Sequence, residues 1–207
     1  MLYSPPGRQE VPEAGPFRVT VDSSLVISAP HEVTHVRNGE RKMADRGTGD
    51  LAEWLAGAVG ASSIVAESKQ LGDPDDDHDH PYIVRAAQLA SGGGLISLHI
   101  MRGKGPEVCM MFGPNPQLAQ VLWLPMLGEL VDAGLRVSVN WPLRARVTTG
   151  IAQLQRRGIP AIQLEINEAC FEADSDIYDS LRSGLLRGVY RIADVRNERP
   201  QDEVNTY

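Results

Sequence analysis

Apolar residues along this chain fall into short continuous runs, and between them lie stretches of helical spacing closed by glycine and proline. Phe17 to Asp22 alternates apolar and polar positions, as a half-exposed edge strand does, whereas Leu25-Val26-Ile27-Ser28-Ala29 is a covered inner strand stopped by Pro30. A polar loop from Glu32 to about Gly47 follows. Thr48 or Gly49-Asp50 then caps a helix that carries Leu51, Ala52, Trp54, Leu55, Ala58 and Val59. Ser62 to Ala66 is the next buried strand, and Pro81 opens a helix through Leu89. Leu95 to Ile100, Glu107 to Phe112, Arg136 to Asn140 and Ile162 to Asn167 are further strands. A helix over Pro116 to Ala133 should be kinked or split at Pro125. A short helix starts at Thr148 or Thr149 and ends at Arg157-Gly158, and Ser175 to about Arg191 closes the chain. Strands alternating with helices predict an α/β domain whose mostly parallel sheet is covered on both faces.

Composition narrows the class. At 207 residues, 42% apolar and 23% charged, the chain suits one core, with residues 1–16 a loose arm and 17–207 one α/β domain. The net charge of −7 and the lack of a basic tract argue against nucleic acid as a partner. No apolar run reaches the length of a membrane span or a signal peptide, so the expected setting is cytoplasmic, with Cys109 and Cys170 as reduced, buried thiols.

Glu165 is the residue that disturbs the pattern, because it puts a carboxylate inside a buried strand. Without a partner such a group costs several kcal/mol or takes up a proton. His31 just past one strand and His99 near the end of another lie where ligands gather in such folds, outside the carboxyl ends of the strands. Two histidines and an acid suit a catalytic zinc site, and a nearby glutamate then serves as general base. Glu32, Glu40 and Asp45 are the acids within reach of His31 along the chain. Other roles stay open: the histidines as hydrogen-bonded structural groups, and Glu165 as an ion-pair partner of Arg144 or Arg146. Arg37, Arg102, Arg144 and Arg146 are candidates for gripping a carboxylate. The acidic run from Gly72 to His80, Asp73 included, is expected to be a loop, solvated over Asp75 to His80, and Gly92-Gly93-Gly94 a turn.

Four segments in order resemble the N-formylglutamate amidohydrolase family: Val26 to His31, Ala44 to Ala52, Leu95 to His99, and Pro160 to Asn167 with its Gln-Leu-Glu-Ile-Asn strand. The resemblance spans roughly residues 25 to 170. It implies a three-layer α/β/α sandwich with a mostly parallel mixed sheet, phosphorylase/hydrolase-like, related to zinc carboxypeptidases and aspartoacylases. It further implies one zinc ion that activates water for amide hydrolysis, on a small N-acyl amino acid-like substrate bearing a carboxylate. Carried over by position, His31 and His99 are metal ligands and Glu165 the general base. Asp45 fills the acidic slot before Thr48 and is the favoured third ligand, with Glu32 and Glu40 in reserve. Arg102, Arg144 and Arg146 are the substrate-binding candidates. Ser97 and Glu168 stand where the family has a carboxylate and an arginine, and they favour the alternative of a non-catalytic ligand- or metal-binding member of the same fold.

Overall fold

The computed structural model describes residues 9–10, 17–37, 39–67, 72–143, 149–172 and 175–197. Its main sheet holds β1 (Gln9–Glu10), β2 (Phe17–Val21), β3 (Leu25–Ala29), β6 (Ser62–Ala66), β7 (Gly94–Met101), β8 (Val108–Met111), β9 (Val137–Val139) and β10 (Ala161–Asn167). They lie in the order β1-β2-β6-β3-β7-β10-β8-β9. The central β6, β3, β7 and β10 are mutually parallel, while β2 joins β6, and β8 joins β10, antiparallel. The sheet is therefore mixed but parallel at its centre.

Side chains alternate across the sheet and divide its packing into two apolar layers. Ile27, Ile96, Leu98, Ile162, Leu164 and Ile166 pack with α1 (Thr48–Val59), α3 (Gln120–Asp132) and α5 (Asp176–Asn197) on one face. Val26, Leu95 and Ala161 pack with α2 (Pro81–Leu89) and α4 (Gly150–Arg156) on the other. This is the three-layer α/β/α arrangement. Toward the carboxyl ends of β7 and β10 the α2–α4 face turns polar, because Ser97, His99, Gln163 and Glu165 replace apolar residues at alternate positions. Among the described residues no helix is long and apolar enough to cross a membrane.

Several expectations are refined. The loop after His31 contains a hairpin of β4 (His35–Arg37) and β5 (Glu40–Lys42). It is drawn back to its origin by a hydrogen bond from the Asp45 amide to the His31 carbonyl, 2.7 Å. Helix α1 is not capped by Thr48 or Asp50; the Glu32 carboxylate reaches back to accept from the amides of Gly47 and Gly49 at 3.3 and 2.7 Å and from Thr48 Oγ1 at 3.1 Å. Pro125 does not split α3, which runs through it. The Gly92–Gly94 turn is required sterically, since a Cβ on Gly93 would sit 1.8 Å from the Ser24 carbonyl oxygen. The largest departure is the acidic segment. Asp73, Asp75 and His80 are 1%, 5% and 5% exposed, folded inward instead of solvated.

Candidate metal centre

Short local constraints bring the candidate residues together. His31 follows β3 by two residues, and His99 and Glu165 are register partners on parallel β7 and β10, so they project side by side from one face. The Asp45 amide bond to His31 returns the third group to the same place.

The hydrogen bonds bring both rings of the pair against polar partners. His31 Nε2 is 3.0 Å from Asp73 Oδ1 and His31 Nδ1 is 3.1 Å from His99 Nδ1. Asp73 is held far below the usual carboxylate range: burial alone would raise it, but the hydrogen bonds from His31, His35 and Arg37 prevail. It is thus ionised, and His31 Nε2 donates to it. Burial and the neighbouring His31 push His99 down to about 3. For His31, burial is outweighed by the hydrogen bond to Asp73 and the charges of Asp75, Asp73 and Asp45, so its pKa is raised. His31 is thus favoured as the protonated ring of the pair, and one N–H proton lies between His31 Nδ1 and His99 Nδ1. Neutral His99 shares a hydrogen bond of 2.9 Å between its Nε2 and Ser97 Oγ.

Asp45 Oδ2 completes the group, 3.9 Å from His31 Nδ1 and 3.8 Å from His99 Nδ1. Two ring nitrogens and a carboxylate oxygen thus surround a single shared proton. Ligand atoms about 2 Å from a tetrahedral divalent ion lie roughly 3.3 Å from one another. The donor set and its spacing fit such an ion, which would take the proton's place. His31 also meets the usual condition of a metal-binding imidazole, an outer N–H held by a carboxylate.

Asp75 also forms a compact group with His31 and His99, and Asp73 one with His31 and His35; in each the ligand atoms lie within 4.8 Å of one another. Asp75 is committed elsewhere, however. Its Oδ1 accepts from the Gly150 amide at 2.8 Å, and its Oδ2 faces Arg37 Nη2 at 3.6 Å. Asp73 is bonded by Arg37 Nε as well as by His31. His35 stacks on His31 with ring centroids 4.0 Å apart, and its Nε2 lies 3.3 Å from Asp73 Oδ2.

Glu165 is buried, and its Oε1 accepts from Gln163 Nε2 at 2.7 Å. Burial, with Asp45 and Asp75 nearby, pushes its carboxyl up to about 7 against the pull of that hydrogen bond. Arg102 stands half-exposed at the rim, 3.5 Å from Asp45 Oδ1 and 3.6 Å from Glu168 Oε2. Arg144 and Arg146 lie outside the described residues.

Three sequence expectations need correction here. Arg37 is not available to grip a carboxylate from solution, because Asp73, Asp75 and Asp76 already surround it. Glu32 is spent on the start of α1, and Glu40 pairs with Lys42 on the exposed hairpin, so neither reserve acid reaches the centre. Asp73, expected in a loop, and Asp75, expected in its solvated part, both pack against the histidines. Their only signal in the sequence is a density of acids that demands counter-charge, and nothing in their spacing points to His31 or Arg37.

The sheet order and its two helical layers define a class, the three-layer α/β/α sandwich. Three solved structures share it. N-formylglutamate amidohydrolase from Ralstonia eutropha JMP134 superposes with a TM-score of 0.66 at 15% identity, over 89% of this chain and 99% of that one. A bacteriophage poly-gamma-glutamate hydrolase gives 0.58 at 13%, over 89% and 93%. The zinc-free apo form of YndL gives 0.56 at 15%, over 84% and 90%. At these identities the likeness establishes the fold. No family model and no curated protein matches the sequence.

Proposed function

We propose that this protein is a zinc-dependent amidohydrolase that cleaves the C–N bond of a small N-acyl amino acid-like substrate. The observation that carries the reading is the convergence of His31 Nδ1, His99 Nδ1 and Asp45 Oδ2 around one proton, with Glu165 on the adjoining strand. In this reading His31, His99 and Asp45 hold the ion, Asp45 being preferred to Asp75 because the carboxylate of Asp75 is engaged by Gly150 and Arg37. A divalent ion there would polarise the scissile carbonyl and acidify water. Glu165 takes the proton from the attacking water and passes it to the leaving nitrogen. Burial raises its affinity for that proton toward the working pH. Asp73 keeps the His31 lone pair turned inward, and Arg102 at the rim meets the carboxylate of the substrate. A cytoplasmic setting and a small carboxylate-bearing partner accord with this chemistry.

The test is elemental analysis of protein purified without chelator, followed by assay against a panel of N-acyl amino acids. One zinc per chain, lost in His31→Ala and in Asp45→Asn but kept in Asp75→Asn, is the expected pattern. Metal content unchanged by His31→Ala would end the hypothesis. The contact of Arg102 with both Asp45 and Glu168 favours a second reading, a binder without turnover. Wild-type protein that holds metal and N-acyl amino acids but hydrolyses none would decide for the binder. Turnover abolished in Glu165→Gln with metal retained would decide for the enzyme.

A further inference from the structure

We propose that the cavity between the turn after β7 and the start of α5 is a binding site for the phosphate group of a small molecule. It measures about 470 Å³, within the size range of small-molecule sites. Gly103, Lys104 and Gly105 of the turn, Arg136 just before β9 and Asn167 at the end of β10 supply its polar lining. It lies apart from the metal centre. Cys170, on its wall, packs in the apolar layer of α5, whereas the layer of α2 and α4 is the one that faces His99 and Glu165. None of these side chains belongs to that centre, so binding here needs no metal.

The turn presents an excess of donors. Its carbonyls are taken: Asn167 Nδ2 donates to those of Gly103 and Pro106 at 3.0 and 3.4 Å, and Arg136 Nη2 to that of Gly105 at 3.2 Å. The amides of Gly103, Lys104 and Gly105 donate to no group among the described residues. Lys104 is exposed and forms no ion pair or hydrogen bond among them. Charge points the same way. Glu107 also lines the cavity, but Arg136 matches its carboxylate, donating to it from the backbone amide at 2.7 Å and from Nε at 2.9 and 3.0 Å. With that pair balanced, Lys104 leaves the lining positive on a chain whose net charge is −7. Such a lining selects an anion. The three turn amides, Lys104 Nζ and the unused Arg136 Nη1 exceed the roughly four lone-pair sites of a carboxylate, whereas a phosphate offers three strongly accepting oxygens. Runs of unpaired backbone amides are a recurring anion cradle. Ile177, 42% exposed, and buried Cys170 give the body of an organic phosphate an apolar surface.

The test is a titration of the full-length protein, as purified, with phenyl phosphate at about pH 7.5, where the monoester is mostly a dianion, followed by amide proton–nitrogen spectra. Saturable shifts of the Gly103, Lys104 and Gly105 amides are expected. The affinity should fall about 5-fold in Lys104→Gln, the upper value for one solvent-facing charge pair, and binding should be lost in Lys104→Glu. Inorganic phosphate, run alongside, separates the two sources of the group. Phenyl phosphate bound more tightly, with the advantage lost in Ile177→Ser, marks an organic phosphate, and equal affinity marks the free anion. These substitutions fall on exposed side chains, and spectra unchanged away from the cavity would verify that the fold is kept. Turn amides that do not shift, an affinity unaltered in Lys104→Glu, or benzoate bound as tightly as phenyl phosphate overturns the proposal. Shifts confined to residues around His31 and His99 overturn it too, because the phosphate would then be held at the metal centre.

Discussion

Replacing Glu165 by glutamine should stabilise the metal-free protein above pH 7 and leave its stability almost unchanged below pH 4.5. The buried carboxyl is pushed from 4.5 up to about 7, chiefly by loss of hydration. Between those values the native state holds a proton that the unfolded chain releases, so stability falls as pH rises through the interval. At about 1.4 kcal/mol per pH unit, the full effect above pH 7 is about 3 kcal/mol. Glutamine keeps the oxygen that accepts from Gln163 Nε2 and removes the ionisation. Urea unfolding of wild type and Glu165→Gln in EDTA, from pH 4 to 8.5, isolates the term, because other titrating groups cancel in the difference. The expected difference grows from near zero to about 3 kcal/mol in favour of the variant. Parallel curves, or a variant less stable at pH 8, would show that Glu165 carries no unpaid charge and would remove the physical basis for its role.

Other outcomes follow from the same contacts. Zinc binding near pH 7 should release about one proton or more, because the ion displaces the one shared by His31 and His99 and favours ionised Glu165, readable by calorimetry in buffers of different ionisation enthalpy; no release would mean that the ion reaches neither group. Asp73→Asn should cost about 3 kcal/mol at pH 7, because it leaves Arg37 and His31 without their buried counter-charge. That contribution should be present above pH 3.8 and be lost as pH falls below it, since the Asp73 carboxyl is lowered in the fold. Glu32→Gln should cost about 1 kcal/mol by weakening the cap on α1, with metal content unchanged. Loss of metal in that variant would return Glu32 to the ligand set.

What could be read in the chain was whatever short-range order fixes. The apolar runs of β3, β7 and β10 reveal the sheet because a buried parallel strand needs nothing beyond its own residues to be recognised. A lone polar residue at the end of such a run, His31, His99 or Glu165, then has its face and depth set by strand geometry. Asp45 was singled out from Glu32 and Glu40 only by the family resemblance, which places an acid three residues before the helix start at Thr48. The contacts that escaped are the ones no local pattern controls. Asp73 meets His31 across 42 positions and Arg37 across 36, and the helix cap of Glu32 on Thr48 spans 16. In each case two charged residues with several possible partners are paired by the closing of the fold. A run of aspartates looks the same in sequence whether water or a guanidinium neutralises it.

Charge balance at the centre links these observations to the first prediction. Four buried carboxylates, Asp45, Asp73, Asp75 and Glu165, face two cationic partners, the buried His31 ring, whose pKa is raised, and the partly buried Arg37 guanidinium. Arg102 offers only a half-exposed third. Without a further cation, the cheapest relief is a proton on the carboxylate with the fewest donors, which is Glu165 with its single bond from Gln163. A divalent ion among His31, His99 and Asp45 adds two positive charges and displaces one proton, a net gain that favours ionised Glu165. Loading the site therefore readies the base, whereas without the ion Glu165 holds its proton up to about pH 7. The stabilising effect of Glu165→Gln at pH 8 should accordingly shrink when zinc replaces EDTA, and wild type should then be at least as stable as the variant. An advantage of about 3 kcal/mol that persists with zinc bound would mean that the ion and Glu165 do not sense each other, and Glu165 would have to be set aside as the base.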